Sequence, residues 1–123
     1  MYHHTAIPVV DLNHSQTFYE KLGFAKLHVW NKPQEELMAV VLEKDGFILE
    51  LVHHPSHQVL AQPAIIESKH VGITVAKLAS LLHELERDET PILKPITKGV
   101  SVEEFCFIAD PSGNVVELVV EKT

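Results

Sequence analysis

The sequence predicts an α+β fold made of two βαβββ modules, and two observations support this fold class. Each half of the 123-residue chain, at about 1–54 and 68–123, reads in order as a strand, an amphipathic helix and three further strands. A histidine in the first strand and a glutamate in the last strand of the first half recur in the second half, 66 and 67 positions later. A duplicated module gives such a repeat. We therefore expect one domain of two modules joined by a linker at 55–67.

Local signals define the elements of the first module. Asp11 and Asn13 are candidate N-caps for a helix at about 14–22, and Gly23 is a natural residue to end that helix. The tripeptide Lys44-Asp45-Gly46 predicts a tight hairpin turn between two strands. The expected strands of this module lie at about 3–9, 25–31, 37–43 and 46–53.

The second module carries the same kinds of signal. Leucines recur at helical spacing between residues 76 and 88, which predicts a helix with one apolar face. The run from Asp110 to Asn114 contains proline, serine and glycine, and it predicts a turn between the last two strands. The expected strands of this module lie at about 69–75, 91–96, 102–109 and 114–121.

Composition and charge exclude several classes of protein. The formal net charge is −7, from 17 acidic and 10 basic residues, so we expect no nucleic-acid partner and no binding to anionic membranes. No apolar stretch approaches the length of about 18 residues that spans a membrane, and the polar N-terminus does not resemble a signal peptide. Cys106 is the single cysteine, so no internal disulfide forms, and we expect a cytoplasmic protein.

Two glutamates interrupt strands that are otherwise apolar. Glu50 lies within Phe47–Val52, and Glu117 lies within Val115–Val120. A strand that is apolar on both faces is normally covered on both faces. An ionised carboxylate there costs several kcal/mol unless it is paired or binds a metal. The alternative ion-pair partners for these carboxylates are Lys69, Lys94, Lys98 and Lys122.

Strand alternation places the two glutamates and two histidines on equivalent faces. Because side chains alternate along a strand, Glu50 and Glu117 fall on the face opposite the leucines and valines that pack on the helices. The same parity places His4 and His70 on the non-helix faces of their strands. Two imidazoles and two carboxylates suit a divalent ion, either tetrahedral zinc or an octahedral ion with open positions. The sequence therefore predicts metal ligands at these four residues.

Several segments resemble the motifs of one superfamily. The opening segments His4–Leu12 and Phe18–Phe24 are similar to the N-terminal signature of the vicinal oxygen chelate superfamily. The closing segment Asp110–Leu118 resembles its C-terminal signature, and Leu49–Leu51 and His70–Ile73 match its other two ligand strands. The resemblance covers nearly the whole chain and implies a glyoxalase/bleomycin resistance/dioxygenase-like fold, a half-barrel of two modules around a metal.

The resemblance also implies an activity. The ligand order His, Glu, His, Glu is similar to that of bacterial glyoxalase I, the lactoylglutathione lyase. An enzyme of this kind chelates a small 2-oxo or hemithioacetal substrate on nickel, zinc, cobalt, manganese or iron. Glu117 or Glu50 then moves a proton between neighbouring carbons, and the resemblance favours Glu117 as the base.

Two other functions occur in the same superfamily. Fosfomycin-modifying relatives transfer a thiol with a metal held by two histidines and one glutamate, without a ligand at the position of Glu50. Bleomycin-binding relatives sequester a small molecule and lack the metal ligands. Stoichiometric metal and loss of turnover in Glu117→Gln distinguish an enzyme from a sequestering protein.

The substrate and the assembly stay open. A glutathione adduct carries carboxylates that favour arginine or lysine contacts, but the single arginine, Arg87, lies near the end of a predicted helix. Lys94, Lys98 and Gly99 are expected in the loop before the strand at 102–109, where they are candidates to bind an anion. Family members often form homodimers, and some build each site from two chains, so we expect a homodimer.

Overall fold

The computed structural model describes residues 3–59 and 69–123, and the chain divides into two compact units, Met1–Leu60 and Ala61–Thr123. Within the described residues, each unit contains one α-helix and one four-stranded sheet. These elements confirm the predicted α+β fold of two βαβββ modules. None of the helices in this part of the chain has the length and apolar character needed to cross a membrane.

The first unit follows the order strand, helix and three strands. Its elements are β1 (Thr5–Val9), α1 (Leu12–Lys21), β2 (Ala25–Lys32), β3 (Leu37–Lys44) and β4 (Phe47–His53). The strand order in its sheet is β1-β4-β3-β2. Strand β1 runs parallel to β4, and the other neighbouring strands are antiparallel.

The second unit repeats this topology. Its elements are β5 (Val71–Thr74), α2 (Ala79–Arg87), β6 (Ile92–Lys98), β7 (Glu104–Ala109) and β8 (Val115–Val120). The strand order in its sheet is β5-β8-β7-β6, with β5 parallel to β8 and the other neighbours antiparallel. The two sheets therefore have the same connectivity, as a duplicated module requires.

Helix α1 begins two residues earlier than predicted because Asp11 caps it. The Asp11 carboxylate accepts a hydrogen bond from the backbone N–H of His14 at 3.0 Å. This bond satisfies one of the free N–H groups in the first helical turn. Asn13, the alternative cap candidate, lies inside the helix. Gly23 follows the helix with a φ of 103°, which confirms its predicted role in ending it.

Helix α2 is shorter than the sequence pattern predicted. The expected range was 76–88, whereas the helix begins at Ala79 and ends at Arg87. No side chain caps its N-terminus, and Leu78 occupies the cap position. Residues 76–78 offer no serine, threonine, aspartate or asparagine to bind the first free N–H groups, so nothing stabilises an earlier start.

The predicted hairpin turn between β3 and β4 is present. Asp45 and Gly46 have positive φ values of 50° and 85°, as a two-residue type I′ turn requires. Lys44 donates a hydrogen bond from Nζ to the carbonyl of Leu22 at 2.7 Å, which joins this hairpin to the end of α1. Burial lowers the pKa of Lys44 below its ordinary value, and the nearby charge of Asp45 opposes that shift.

The strands that carry the two glutamates have fully buried side chains on one face. Leu49 and Leu51 of β4 are fully buried, as are Val116 and Leu118 of β8. Full burial of such a side chain stabilises the fold by about 1.5–3 kcal/mol. Since these residues alternate with the two glutamates, the core fixes which sheet face each glutamate occupies.

The structure describes only the beginning of the predicted linker after β4. Residues 54–59 form no helix or strand, and the carbonyl of His54 accepts the N–H of His57 at 2.9 Å in a turn. The remaining linker positions, 60–67, lie outside the described residues. A single domain with its linker at 55–67 therefore stays a prediction.

Candidate metal centre

In the first unit, Glu50 and His4 lie together on the sheet face opposite the core. Glu50 alternates with the buried Leu49 and Leu51, and its register partner on β1 is the small residue Ala6. His4 lies two residues before Ala6 in the chain. The Nε2 atom of His4 is 3.7 Å from Oε1 of Glu50. Glu50 therefore lies on the sheet face that strand alternation predicted, and its carboxylate lies beside the His4 ring.

The second unit contains the same pair at equivalent positions. Glu117 has the small residue Gly72 as its register partner on β5, and His70 lies two residues before Gly72. The Nε2 atom of His70 is 3.1 Å from Oε1 of Glu117. The His70 ring also contacts the ring of Phe107 edge-on, with centroids 5.1 Å apart. Each unit thus presents one imidazole and one carboxylate side by side.

Both histidines lie one residue outside the strands in which the sequence placed them. The strand at 3–9 was expected to include His4, and the strand at 69–75 was expected to include His70. Strand β1 begins at Thr5 and β5 at Val71, because the ladders with β4 and β8 start at those residues. Both side chains therefore lie at the edge of their sheets. The side chain of His4 is 40% exposed and that of His70 is 29% exposed.

The two carboxylates are only partly buried, which the apolar pattern of their strands did not predict. The side chains of Glu50 and Glu117 are 18% and 24% exposed. Ile48 and Val119, which share their faces, are also half-buried. The cost of holding a charge there is smaller than for full burial. The metal prediction therefore depends on the pairing with histidine more than on desolvation.

Trp30 is a partner of Glu50 that the sequence did not predict. The indole N–H of Trp30 donates a hydrogen bond to Oε2 of Glu50 at 2.7 Å. Trp30 lies on β2 and Glu50 on β4, so the contact spans the intervening strand β3. Strand parity indicates the face of Trp30 but not a contact two strands away, because such a contact depends on the register of all three strands.

The lysines proposed as alternative partners do not pair with these glutamates within the described residues. Lys122 donates its Nζ to the carbonyl of Val100 at 2.8 Å. Lys94 lies with Nζ 5.3 Å from the ring centroid of Phe105. Lys94 and Lys98 belong to β6 rather than to the loop before β7, so the expectation of a loop for them is wrong. Lys98 lies in the strand because β6 extends two residues beyond the predicted end, and Lys94 lies within the range already predicted as a strand, 91–96.

The donor set of each unit suits a divalent metal ion. Bonds of about 2.1 Å to nitrogen and oxygen separate two adjacent ligand atoms by about 3 to 3.4 Å. The separation of 3.1 Å in the second unit lies within this range, and that of 3.7 Å in the first lies slightly above it. Across residues 3–59 and 69–123, no three such donors form a preassembled cluster. The structure therefore brings together two ligand pairs, and a four-ligand site stays a prediction.

Three histidines at the end of β4 and in the turn after it contact neighbouring groups outside the two pairs. His53 and His57 each place Nδ1 near the carbonyl of Val9, at 3.2 Å and 3.3 Å. Strand alternation would place His54 on the same face as Glu50. Its Nδ1 atom instead contacts the hydroxyl of Ser56 at 2.7 Å. These contacts fit a structural role in the turn after β4.

Cys106 is excluded as a nucleophile by its position. It lies on β7 opposite Leu118 and is fully buried on the core side of the sheet. Burial raises the pKa of its thiol to about 11, an effect larger than that of its backbone hydrogen bond to Leu118, which lowers it. A thiol with such a pKa remains protonated near neutral pH.

Comparison with protein families identifies the chain. Residues 2–118 match the family described as the Glyoxalase/Bleomycin resistance protein/Dioxygenase superfamily. This chain belongs to that superfamily. A comparison with curated proteins gives no match.

Solved structures of glyoxalase proteins have the same fold. The trypanothione-dependent glyoxalase I of Leishmania major is 28% identical, with a TM-score of 0.76 over 96% of this chain and 84% of that chain. A glyoxalase family protein from Enterococcus faecalis is 22% identical, with a TM-score of 0.75 over 97% and 96%. One from Bacillus cereus is 15% identical, with a TM-score of 0.83 over 99% and 94%. Members of this superfamily typically bind divalent metals and include many enzymes.

Proposed function

We propose that the chain is a metal-dependent enzyme of glyoxalase I type that isomerises a small 2-oxo or hemithioacetal substrate. One observation carries the proposal: a histidine–glutamate pair occurs in each unit, formed by the residue just before its first strand and a residue of its last strand. A pair at one position has several structural explanations. Its repetition at equivalent positions of the two units favours a shared role in holding one ion through His4, Glu50, His70 and Glu117.

The donor chemistry indicates the class of ion. Imidazole nitrogen and carboxylate oxygen together favour a borderline divalent ion such as nickel, zinc, cobalt, manganese or iron. When bound, such an ion supplies a Lewis acid that stabilises negative charge developing on substrate oxygens.

Glu117 is the proposed general base. Its carboxylate contacts His70, whereas the carboxylate of Glu50 is also held by Trp30. A carboxylate with fewer fixed contacts has more freedom to accept a proton from one carbon and return it to the neighbouring carbon. Substrate and product then contain the same atoms, so no co-reactant is consumed in this step.

The proposed substrate is not limited to a glutathione adduct. Arg87 is exposed at the end of α2, and Lys94 lies against the ring of Phe105. In the part of the chain that the structure describes, neither residue forms a hydrogen bond or ion pair with the four proposed ligands, so neither is assigned to a substrate carboxylate. The Leishmania major enzyme depends on trypanothione, and thiol adducts with other carriers therefore belong in the same screen.

The arrangement of Glu50 favours isomerisation over thiol transfer. The resemblance implies that fosfomycin-modifying relatives have no ligand at this position. Here Glu50 faces His4 and receives a hydrogen bond from Trp30, as a fixed ligand would. A sequestering protein of the bleomycin-binding kind has no need of either histidine–glutamate pair.

The experiment that tests this proposal combines metal analysis with an activity screen. The protein is purified without chelators and analysed for transition metals, and methylglyoxal is then offered with several thiols. We expect stoichiometric metal and metal-dependent product formation. Protein that contains no metal, takes up none and turns over no thiol adduct would contradict an enzymatic role and favour sequestration.

The assembly and the location are part of the same proposal. We expect a cytoplasmic homodimer, which light scattering tests by mass. Mixing a His4→Ala/Glu50→Ala chain with a His70→Ala/Glu117→Ala chain then distinguishes two arrangements. Activity recovered on mixing indicates a site shared between two chains, and continued inactivity of the mixed dimer indicates a site within each chain.

A further inference from the structure

The hydrogen bond between Trp30 and Glu50 requires a particular set of side chains. Neighbouring strands lie about 4.8 Å apart, so a donor on β2 must be long to reach a residue on β4. Trp30 is paired in register with Ala39 of β3, and Ala39 is paired with Val52 of β4. Because Ala39 is small, the indole of Trp30 has room to pass over β3 and reach Glu50.

The second unit has no equivalent of this contact at the corresponding positions. In the first unit, Trp30, Ala39 and Val52 are paired side by side across three strands. The residues paired in the same way in the second unit are Thr97, Phe105 and Val119. Thr97 is too short to cross a strand, and its hydroxyl donates to the carbonyl of Pro95 at 2.8 Å. Phe105 fills the place that Ala39 leaves open. The duplicated modules therefore differ at this point.

We propose that Trp30 is a positioning residue that fixes Glu50 as a metal ligand, an inference that rests on the proposed function. The indole N–H occupies Oε2 of Glu50, and Oε1 is the atom that faces His4. Fixing one carboxylate oxygen by a charge-assisted hydrogen bond orients the other toward the ion. Trp30 thus makes Glu50 a rigid ligand, while Glu117 has no such anchor among the described residues.

A second contact helps to hold the indole in place. Lys32, two residues further along β2, places Nζ 5.7 Å from the centroid of the Trp30 ring. A cation at this distance from an indole face is attracted to it. The ring is thereby held between its N–H contact to Glu50 and a cation at its face.

The test begins with the indole N–H signal of the metal-free protein. Trp30 is the single tryptophan, so this signal is unique in a nitrogen–proton NMR spectrum. We expect a downfield proton that exchanges slowly with water and that loses both properties in Glu50→Ala. An indole signal that does not change in Glu50→Ala would overturn the contact itself, whatever the protein does with metal.

The second measurement is the affinity for Ni²⁺ and Zn²⁺ alone, by calorimetric titration. Trp30→Phe keeps an aromatic ring and removes the N–H, and we expect affinity to fall by about 10-fold or more, as for other residues that orient a ligand. When Glu50 is already replaced by alanine, Trp30→Phe should change the affinity for either ion by less than about twofold, because the partner of the indole is absent. Asn31→Ala, on the other face of β2, is the matched control and should bind like the wild type.

The outcomes separate this inference from the proposed function. Wild-type binding together with unchanged affinity in Trp30→Phe would overturn the positioning role and leave the metal site standing. Equal losses from Trp30→Phe with and without Glu50 would show that the ring acts only through packing. A wild-type chain that binds neither ion would overturn both proposals.

Discussion

The Nε2 atom of His70 lies 3.1 Å from Oε1 of Glu117, and an equivalent pair, His4 and Glu50, lies 3.7 Å apart in the first unit. Each pair is formed by the residue just before the first strand of a unit and a residue of its last strand. The parallel pairing of those two strands brings the atoms together. The proposed chemistry follows from this repeated contact.

Replacing Glu117 by glutamine should strongly reduce the rate of turnover while leaving the fold intact. Glutamine has the same shape but cannot accept a proton from carbon, so the rate should fall by about 10²- to 10⁴-fold. Steady-state rates on the substrate found in the screen measure this effect, and circular dichroism checks the fold.

Glu121→Gln is the matched control for that change, because Glu121 is exposed just after β8. It should keep the wild-type rate. Full activity in Glu117→Gln would exclude Glu117 as the base and leave Glu50 as the candidate.

Replacing Asp11 by alanine should destabilise the first unit through its helix. The carboxylate cap on the His14 N–H is lost, which typically costs about 1 kcal/mol. Asn13→Ala, inside the helix, should change the free energy of unfolding by less than about 0.5 kcal/mol. Urea unfolding of the three proteins measures both values, and equal effects of the two variants would contradict the assignment of the cap.

Replacing Asp110 by alanine should have a larger effect. Asp110 is 3% exposed and accepts hydrogen bonds from the backbone N–H groups of Ser112 and Asn114 and from the side chain of Asn114. Alanine leaves these donors without their acceptor, and we expect a loss of about 3 kcal/mol in the free energy of unfolding. Asp110→Asn, which keeps one acceptor oxygen, should lose less, and a loss as large as that of alanine would contradict this explanation.

Cys106 should be unreactive in the folded protein. Its thiol is buried and its pKa is raised to about 11, so little thiolate is exposed at pH 8. A disulfide reagent should detect one thiol per chain in urea and none within minutes in the native state. Rapid reaction of the native protein would contradict the buried position.

The same thiol makes stability depend on alkaline pH. The unfolded chain ionises near the ordinary pKa of 9.0, before the folded chain does at about 11. The free energy of unfolding should therefore decrease as pH rises from about 9 to 11. This portion of the decrease should be absent in Cys106→Ala, which urea unfolding at several pH values measures.

Much of the fold could be predicted because local signals are strong. The hairpin at Asp45 and Gly46 needs positive φ values that its residues supply. Alternation along β4 and β8 assigned Glu50 and Glu117 to the correct face, since the same alternation buries the leucines beside them. The start of α1 was ambiguous because Asp11 and Asn13 are both good caps, and only the bond to His14 distinguishes them.

The details of the site depend on contacts between strands, which a local sequence pattern does not predict. The exposure of Glu50 and Glu117 is set by what lies over each sheet face, and an apolar strand does not specify that. The bond from Trp30 to Glu50 requires the register of three strands and the small side chain of Ala39 between them. Such contacts become visible only when the strands are paired.

If both histidine–glutamate pairs hold one ion, the ratio of bound metal to chain is fixed at one. The wild type, His4→Ala and His70→Ala are titrated with Ni²⁺, and bound metal is measured by elemental analysis. We expect one ion per chain in the wild type and a loss of affinity greater than about 100-fold in each variant, beyond the effect of residues that only orient ligands. Two ions per chain, or full binding in either variant, would contradict this expectation.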